Sequence, residues 1–257
     1  MAKSAYRYVA LGDSFTEGVG DDDLARPNGV RGWADRVAEE LGRTHDVEYS
    51  NLAIRGWLLD QIVDTQLDRA IELKPDLITI SAGGNDMLRP GFDVDAVIAR
   101  YDALLSRLAT TGAQIVVFTM VDGSSFPVFR HLGGRALPFN AAIREMVRRH
   151  NGTLADFFAF DGFDDPRMWS WDRLHLNTAG HTLMAANVLD VLGVEHSAPR
   201  PALGPQPSSS LVSRRINDAV WTRKFLLPWI GRRLRGTSSG DGLTPRYPEY
   251  VRSGDLV

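Results

Sequence analysis

Short apolar runs alternating with amphipathic segments are the feature that most restricts how this chain folds. The strand-like runs are Tyr8–Leu11, Val47–Ala53, Leu77–Ala82, Ile115–Met120 and Thr153–Phe158. The fourth run, Ile115–Met120, is apolar, uncharged and rich in β-branched residues, which is typical of a strand in the middle of a parallel sheet. Regular alternation of strands and helices predicts an α/β fold whose parallel sheet is covered by helices on both faces.

Amphipathic segments with helical periodicity separate these runs. Trp33, Val37 and Leu41 follow one another at a spacing of four, which places them on one face of a helix. Pro75 ends the next helical segment, because proline cannot continue a helix. The predicted helices are Gly32–Leu41, Leu59–Leu73, Val94–Leu108, Leu137–Arg149 and Thr178–Leu192.

Residues suited to catalysis follow the first three predicted strands. Ser14 comes after the first, Gly56 after the second and Asn85 after the third. Ligands of open α/β sheets bind beyond the carboxyl ends of the strands. These three residues are therefore expected to lie at one edge of the sheet.

Asp172 and His175 stand three residues apart, far downstream of Ser14. A serine hydroxyl needs a base to become a nucleophile, and an aspartate can hold an imidazole in the orientation that this requires. Taken singly, each of these residues equally suits a turn or a helix cap. Their order and their placement at strand ends favour a catalytic role for Ser14, His175 and Asp172.

A reaction at a carbonyl also needs donors for the charge that develops on oxygen. The backbone N–H groups of Ser14 and Gly56 and the side-chain amide of Asn85 are suitable donors for such an oxyanion hole. Glycine at position 56 leaves no Cβ to obstruct the approach of the oxyanion to the backbone.

These residues resemble the sequence blocks of the GDSL, or SGNH, hydrolase family. The matching segments are Gly12–Gly18, Gly56 with its preceding strand, Gly83–Asp86 and Asp172–Asn177, with Phe15 in place of the family's leucine. The resemblance implies a three-layer α/β/α flavodoxin-like fold with a central parallel sheet of about five strands. It also implies a triad of Ser14, His175 and Asp172, an oxyanion hole of Ser14, Gly56 and Asn85, and neither a metal nor an organic cofactor.

The function expected is cleavage of carboxylic esters through an acyl-enzyme on Ser14, with a lipid-like, acetyl or thioester small molecule as substrate. Two alternatives remain open at this point. One is acyl transfer by the same triad. The other is a membrane-binding or partner-binding protein that acts through its C-terminal segment. The sequence assigns no substrate-binding residues.

The chain divides by composition into a hydrolase domain, residues 1–196, and an extension, residues 197–257. The extension begins with a Pro/Ser-rich linker and carries ten basic and four acidic side chains, a net charge of +6, against −9 for residues 1–196. Its basic, aromatic stretch Ile216–Leu234 suits either a membrane surface or the acidic main domain. Opposite charges favour docking on the main domain over peripheral membrane contact. Pro228 is expected to break any single long helix there.

Other features exclude several classes of protein. The chain has no cysteine, so disulfides and thiolate chemistry are excluded, and its net charge of −3 gives no case for nucleic-acid binding. No apolar run is long enough for an integral membrane segment. The first residues lack the apolar core of a signal peptide, so a cytoplasmic location is expected. The acidic run Asp21–Asp23 is expected to be solvated rather than to bind a metal.

Overall fold

A six-stranded, mostly parallel sheet forms the centre of the molecule. The computed structural model describes residues 5–121, 133–206 and 210–256. The strands are β1 (Tyr6–Gly12), β2 (Val47–Asn51), β3 (Leu77–Ser81), β4 (Gln114–Phe118), β5 (Thr153–Ala155) and β6 (Tyr247–Arg252). Their order is β5-β4-β3-β1-β2-β6, in which the first five strands are parallel and β6 is antiparallel to β2. The expected α/β fold with five parallel strands is confirmed.

Helices cover both faces of this sheet. The helices of the described residues are α1 (Ser14–Glu17), α2 (Gly32–Leu41), α3 (Leu59–Thr65), α4 (Leu67–Glu72), α5 (Gly84–Met87), α6 (Val94–Ala109), α7 (Gly133–Arg149), α8 (Thr178–Leu192) and, in the extension, α9 (Leu211–Trp221) and α10 (Leu227–Leu234). Trp33 of α2 and Met184 of α8 pack in one apolar cluster, and Leu59 of α3 and Tyr101 of α6 pack in a second on the other side. Two cores on opposite faces of one sheet make three layers.

The predicted helix Leu59–Leu73 is two helices that meet at Gln66. The Gln66 side chain is buried, with its oxygen accepting from the N–H of Gly12 and its amide nitrogen donating to the carbonyl of Gly12, both at 2.9 Å. A side chain that satisfies both backbone groups of Gly12 fixes the end of β1, two residues before Ser14. The break between α3 and α4 therefore occurs at a residue that positions the candidate site.

The sixth strand comes from the C-terminal extension and has no counterpart among the predicted strands. In register, Tyr247 lies opposite Asn51, and Ser50 Oγ donates to the carbonyl of Tyr247 at 2.7 Å. Just before this strand, Arg246 inserts into the main domain and pairs with Asp35 at 2.6 Å, both side chains being fully buried. The end of the extension is thus joined to the sheet and to the core.

Pro228 does not break the helical run of the extension, so that expectation was wrong. A π-helical turn, Thr222–Leu226, connects α9 directly to α10, and Pro228 lies in the first turn of α10. Proline removes one backbone donor and crowds the preceding turn. The π turn directly precedes α10, and residues 211–234 are helical throughout.

Candidate active site

Three side chains from distant parts of the chain form one hydrogen-bonded series. His175 Nε2 lies 2.9 Å from Ser14 Oγ, and His175 Nδ1 lies 2.6 Å from Asp172 Oδ2. Asp172 Oδ1 accepts the backbone N–H groups of Leu174 and His175 at 2.9 and 3.0 Å. Arg173 between them adopts a left-handed backbone with φ of 59°. This tight turn lets an aspartate and a histidine three residues apart face each other.

The charge of Asp172 follows from its surroundings. Burial by itself would raise the pKa of this carboxyl, because the ionised form loses contact with water. Hydrogen bonds from the His175 ring and from two backbone N–H groups outweigh burial and lower the pKa below its ordinary value. Asp172 is therefore ionised at neutral pH and suited to accept the Nδ1–H of His175. The Nε2 atom of the neutral ring then faces the Ser14 hydroxyl as an acceptor.

The position of Ser14 results from the way β1 passes into α1. Asp13 caps this short helix, with Oδ1 accepting the N–H of Phe15 at 3.2 Å, so that Ser14 is the first helical residue. The first N–H groups of a helix have no acceptor within the helix. No described group accepts the N–H of Ser14, nor that of Gly56. Both expected backbone donors are therefore available to a ligand.

Gly56 is held from two sides. On one side, the fully buried Glu17 accepts from the Arg55 backbone N–H at 2.6 Å and from the Arg55 guanidinium at 2.7 Å. On the other, Ser238 Oγ donates to the carbonyl of Arg55 at 3.1 Å. Gly56 has φ of 81°, and a Cβ built there would lie 1.9 Å from Ser238 Oγ. Neither contact was predictable from the sequence pattern, although Glu17 lies inside the matching block Gly12–Gly18.

Asn85 is buried at the site, at the beginning of α5. Its Nδ2 donates to Asp13 Oδ2 at 2.9 Å and to the carbonyl of Trp57 at 3.0 Å. Both bonds orient the amide, and they also occupy its two hydrogens. Asn85 must therefore share or exchange one of these bonds in order to donate to an oxyanion.

Two cavities open on either side of Ser14. The first is mostly apolar, with a volume of about 180 Å³, and its lining includes Phe15, Met120, Phe157 and Trp169. The second has a volume of about 160 Å³ and is lined on one side by Gly56, Asp172 and the Arg55 segment, and on the other by the extension. Ser14, Asn85 and His175 border both cavities. The structure thus brings all five sequence-predicted site residues to one place.

The extension packs directly on the Asp172–His175 turn. Trp221 is buried and donates its indole N–H to the carbonyl of Asp172 at 2.9 Å. The Arg173 guanidinium lies 4.9 Å from the Trp221 ring centre and pairs with Asp218 of α9 at 2.7 Å. Two residues of the extension, Trp221 and Asp218, thus contact Arg173, the left-handed residue of the turn. Nothing in the sequence pattern identified Trp221 as a residue next to the site.

The expectation that Asp21–Asp23 is solvated was wrong for Asp21. Asp21 is buried, accepts the N–H of Gly32 at 3.1 Å and pairs with Arg36. This carboxylate ties the loop after α1 to the start of α2. Among the described residues, no three His, Cys, Asp or Glu side chains gather into a site that can hold a metal ion.

A family of known proteins matches the part of the chain that contains all five candidate site residues. Residues 10–183 match the model of the GDSL-like lipase/acylhydrolase family, which is well over half of the chain. The chain belongs to this family. The resemblance in the sequence blocks is confirmed, and the GDSL-like protein is accordingly a hydrolase that cleaves ester bonds.

This GDSL-like hydrolase is similar in sequence to one curated protein and in fold to several solved structures. The uncharacterized protein YpmR of Bacillus subtilis (strain 168) is 22% identical over 215 residues, which are 73% of this chain and 81% of YpmR. An acetylxylan esterase of Geobacillus stearothermophilus, Axe2, superposes with a TM-score of 0.62 at 18% identity, over 76% of this chain and 97% of Axe2. The psychrotrophic esterase EstA of Pseudoalteromonas sp. gives 0.58 at 20% identity, over 73% and 96%. Both solved structures are covered almost completely, and about a quarter of this chain has no counterpart in either.

Proposed function

We propose that the protein is a serine ester hydrolase that forms an acyl-enzyme on Ser14. The observation that carries this proposal is the continuous series from Asp172 through His175 to Ser14, with contacts of 2.6 and 2.9 Å. Such a series gives a weak nucleophile the base that it needs and gives the base its orientation. Membership of an ester-cleaving family supports the same reading.

In the proposed reaction, Ser14 Oγ attacks the ester carbonyl while His175 Nε2 takes the hydroxyl proton. The negative oxygen is held by the N–H groups of Ser14 and Gly56 and by the amide of Asn85. His175 then gives its proton to the departing alcohol, which leaves an acyl group on Ser14. Water, deprotonated by His175, releases the acid and restores the serine.

The apolar cavity is the proposed acyl pocket. Its volume of about 180 Å³ is well below the ~300–1,000 Å³ of pockets that enclose drug-sized ligands. We therefore expect acetyl and butyryl esters to react faster than dodecanoyl esters. A series of p-nitrophenyl esters tests this together with the catalytic assignment. Ser14→Ala and His175→Ala should lose turnover, while Ser213→Ala, at an exposed serine of α9, should retain it. Equal activity of Ser14→Ala and wild type would contradict the proposal.

Acyl transfer differs from hydrolysis only in the group that releases the acyl-enzyme. Products formed from one ester in the presence of glycerol distinguish the two outcomes. Free acid as the dominant product supports hydrolysis, and glyceryl ester as the dominant product supports transfer.

A second candidate function is contact with an anionic membrane surface through the extension. Along residues 211–234 an exposed apolar stripe faces away from the main domain: Leu211, Val212, Ile216, Val220, Leu227 and Ile230. Exposed cations accompany it, including Arg215, Arg223 and Lys224. An amphipathic helix of this kind binds bilayers through apolar burial and attraction to anionic lipids. No helix in the described part of the chain is long and apolar enough to cross a bilayer.

Co-sedimentation with phosphatidylcholine vesicles, with and without phosphatidylserine, tests this contact. The wild type should pellet with the anionic vesicles. Ile216→Glu should weaken pelleting more than Asn217→Glu, which adds the same charge at a neighbouring exposed position. Formation of a dimer that Ile216→Glu abolishes, without vesicle binding, would show instead that a second copy covers the stripe.

A further inference from the structure

The two cavities beside Ser14 differ in chemistry. The lining of the first is dominated by aromatic, methionine and leucine side chains. The second is more polar, since Arg55, Arg232, Thr237, Ser238 and Ser239 line it together with the aromatic residues Phe225 and Trp229. An ester whose scissile carbonyl lies at Ser14 extends one substituent towards each cavity. The second cavity can thus accommodate a more polar substituent than the first.

The ionised groups of the second cavity do not balance one another. Arg55 is neutralised by the buried Glu17, with nitrogen–oxygen contacts between 2.6 and 3.1 Å. Asp172, the only carboxylate among the described lining residues, is engaged by His175. Arg232 is half-buried, and no described side chain pairs with its guanidinium. Among the residues that the structure describes, one positive charge therefore remains at this cavity without a counter-charge.

We propose that the second cavity is a subsite for an anionic group, a carboxylate or a phosphate, on the alcohol part of the ester, and that Arg232 recognises it. Guanidinium groups bind both anions through paired N–H donors, and partial burial strengthens such contacts. The hydroxyl of Ser239 supplies a further donor, whereas the hydroxyls of Thr237 and Ser238 already donate to backbone carbonyls. The proposal rests on the proposed function, since the subsite is defined by its position beside the catalytic serine.

The extension is what supplies this specificity. Phe225, Trp229, Arg232 and Ser238 all lie beyond residue 196, and the match to the family model ends at residue 183. Ser238 also donates to the backbone carbonyl of Arg55. The part of the extension that lines the subsite is therefore bonded to the turn that carries Gly56. The extension therefore forms part of the cavity that receives the alcohol part of the ester, next to a catalytic site that lies within the family match.

Three esters of one acyl group test the subsite: those of 3-hydroxybenzoate, 3-hydroxyphenylphosphonate and 3-methylphenol. The carboxylate and methyl phenols have similar leaving-group acidity, so they differ mainly in charge, and comparing the carboxylate with the phosphonate distinguishes the two anion chemistries. The wild type should show kcat/KM about tenfold or more higher for a charged ester than for the methyl ester. Arg232→Gln should remove this preference by lowering kcat/KM for the charged esters to about the value for the methyl ester. Arg223→Gln, exposed on the same helical course and lining neither cavity, should behave as wild type.

A second measurement reads the subsite without turnover. Binding of 3-hydroxybenzoate and 3-hydroxyphenylphosphonate to the Ser14→Ala protein, followed by calorimetry, should be lost in the Ser14→Ala/Arg232→Gln double variant. A charge preference that survives Arg232→Gln, or equal kcat/KM for charged and neutral esters, overturns the subsite. Turnover of the methyl ester by wild type but not by Ser14→Ala would then leave the proposed hydrolase intact. Binding of the anions without turnover of any ester would contradict the proposed hydrolase activity and support the anion subsite.

Discussion

The indole N–H of Trp221 donates to the backbone carbonyl of Asp172, so a residue of the extension is bonded to the residue that orients the catalytic base. Three further contacts join the extension to the main domain: Arg173 with Asp218, Ser238 with Arg55, and Arg246 with Asp35. The composition of residues 197–257 indicates a linker and an appended basic segment. In the structure, the same residues complete the sheet and one side of the candidate site.

Asp172→Asn should lower kcat by about 10³–10⁴-fold while the protein remains folded. An amide at this position does not stabilise the imidazolium that forms during attack, and it favours the wrong tautomer of His175. Steady-state kinetics with a p-nitrophenyl ester, together with thermal melting, measure both effects. Wild-type kcat in the folded variant would show that Asp172 has no part in the reaction.

Asn85→Ala should lower kcat by about 10²–10³-fold and change KM much less. The amide is expected to bond the developing oxyanion, which exists in the transition state and not in the bound ester. Asn217→Ala, at an exposed asparagine of α9, is the control. A raised KM with unchanged kcat would make Asn85 a residue of ground-state binding.

Gly56→Ala should reduce both activity and stability. Its φ of 81° is costly for alanine, and the added Cβ would lie 1.9 Å from Ser238 Oγ. The double variant Gly56→Ala/Ser238→Gly removes the collision and leaves only the backbone strain. Kinetics and melting temperatures of both variants separate the two causes. If the double variant recovers nothing, contact with Ser238 is not what requires glycine here.

Arg246→Ala should destabilise the protein by about 3–5 kcal/mol, because it leaves the buried carboxylate of Asp35 without its main partner. The pair is fully buried, and Arg26 supplies only one further contact to Asp35. Arg252→Ala, at an exposed position of the same strand, should change the free energy of unfolding by less than about 0.5 kcal/mol. Denaturant unfolding of both variants is the measurement. Similar values for the two would mean that Arg246 does not anchor the extension.

His181 should make the protein less stable in mild acid. Burial lowers the pKa of its imidazole to about 4, below the value of 6.5 expected in the unfolded chain; Asp21 opposes this shift and Arg36 adds to it. Between these values the unfolded state binds the proton more readily, so stability falls as pH decreases from about 6.5 to about 4. The full effect is on the order of 3 kcal/mol. His181→Gln should flatten the pH dependence of unfolding in this window. An unchanged slope would exclude His181 as its source.

Sequence patterns predicted the parts of the fold in which burial is uniform. The central strands carry continuous apolar runs such as Ile115–Phe118, and α2 and α8 begin and end where their periodicity indicates. Strand β6 escaped prediction because it lies at the sheet edge and contains Pro248 and Glu249, so that it has neither a buried run nor alternation.

The candidate site was predictable where its chemistry needs particular residue types in order, as with Ser14, Asn85 and His175. The residues that position this site could not be predicted from the sequence. Glu17, Arg55 and Ser238 act through contacts between segments up to 183 residues apart, and no local pattern encodes such pairings. Arg232 belongs to the same class, since a basic residue on an amphipathic helix does not by itself indicate which cavity it lines.

Labelling with a fluorophosphonate tests the central claim most directly. The probe reacts with a serine only where a base activates its hydroxyl, and the mass of the adduct can be mapped to a single residue. The wild type should gain one adduct, located on Ser14, and His175→Ala should label far more slowly. An adduct on another residue, or labelling of Ser14→Ala as fast as wild type, would contradict the account.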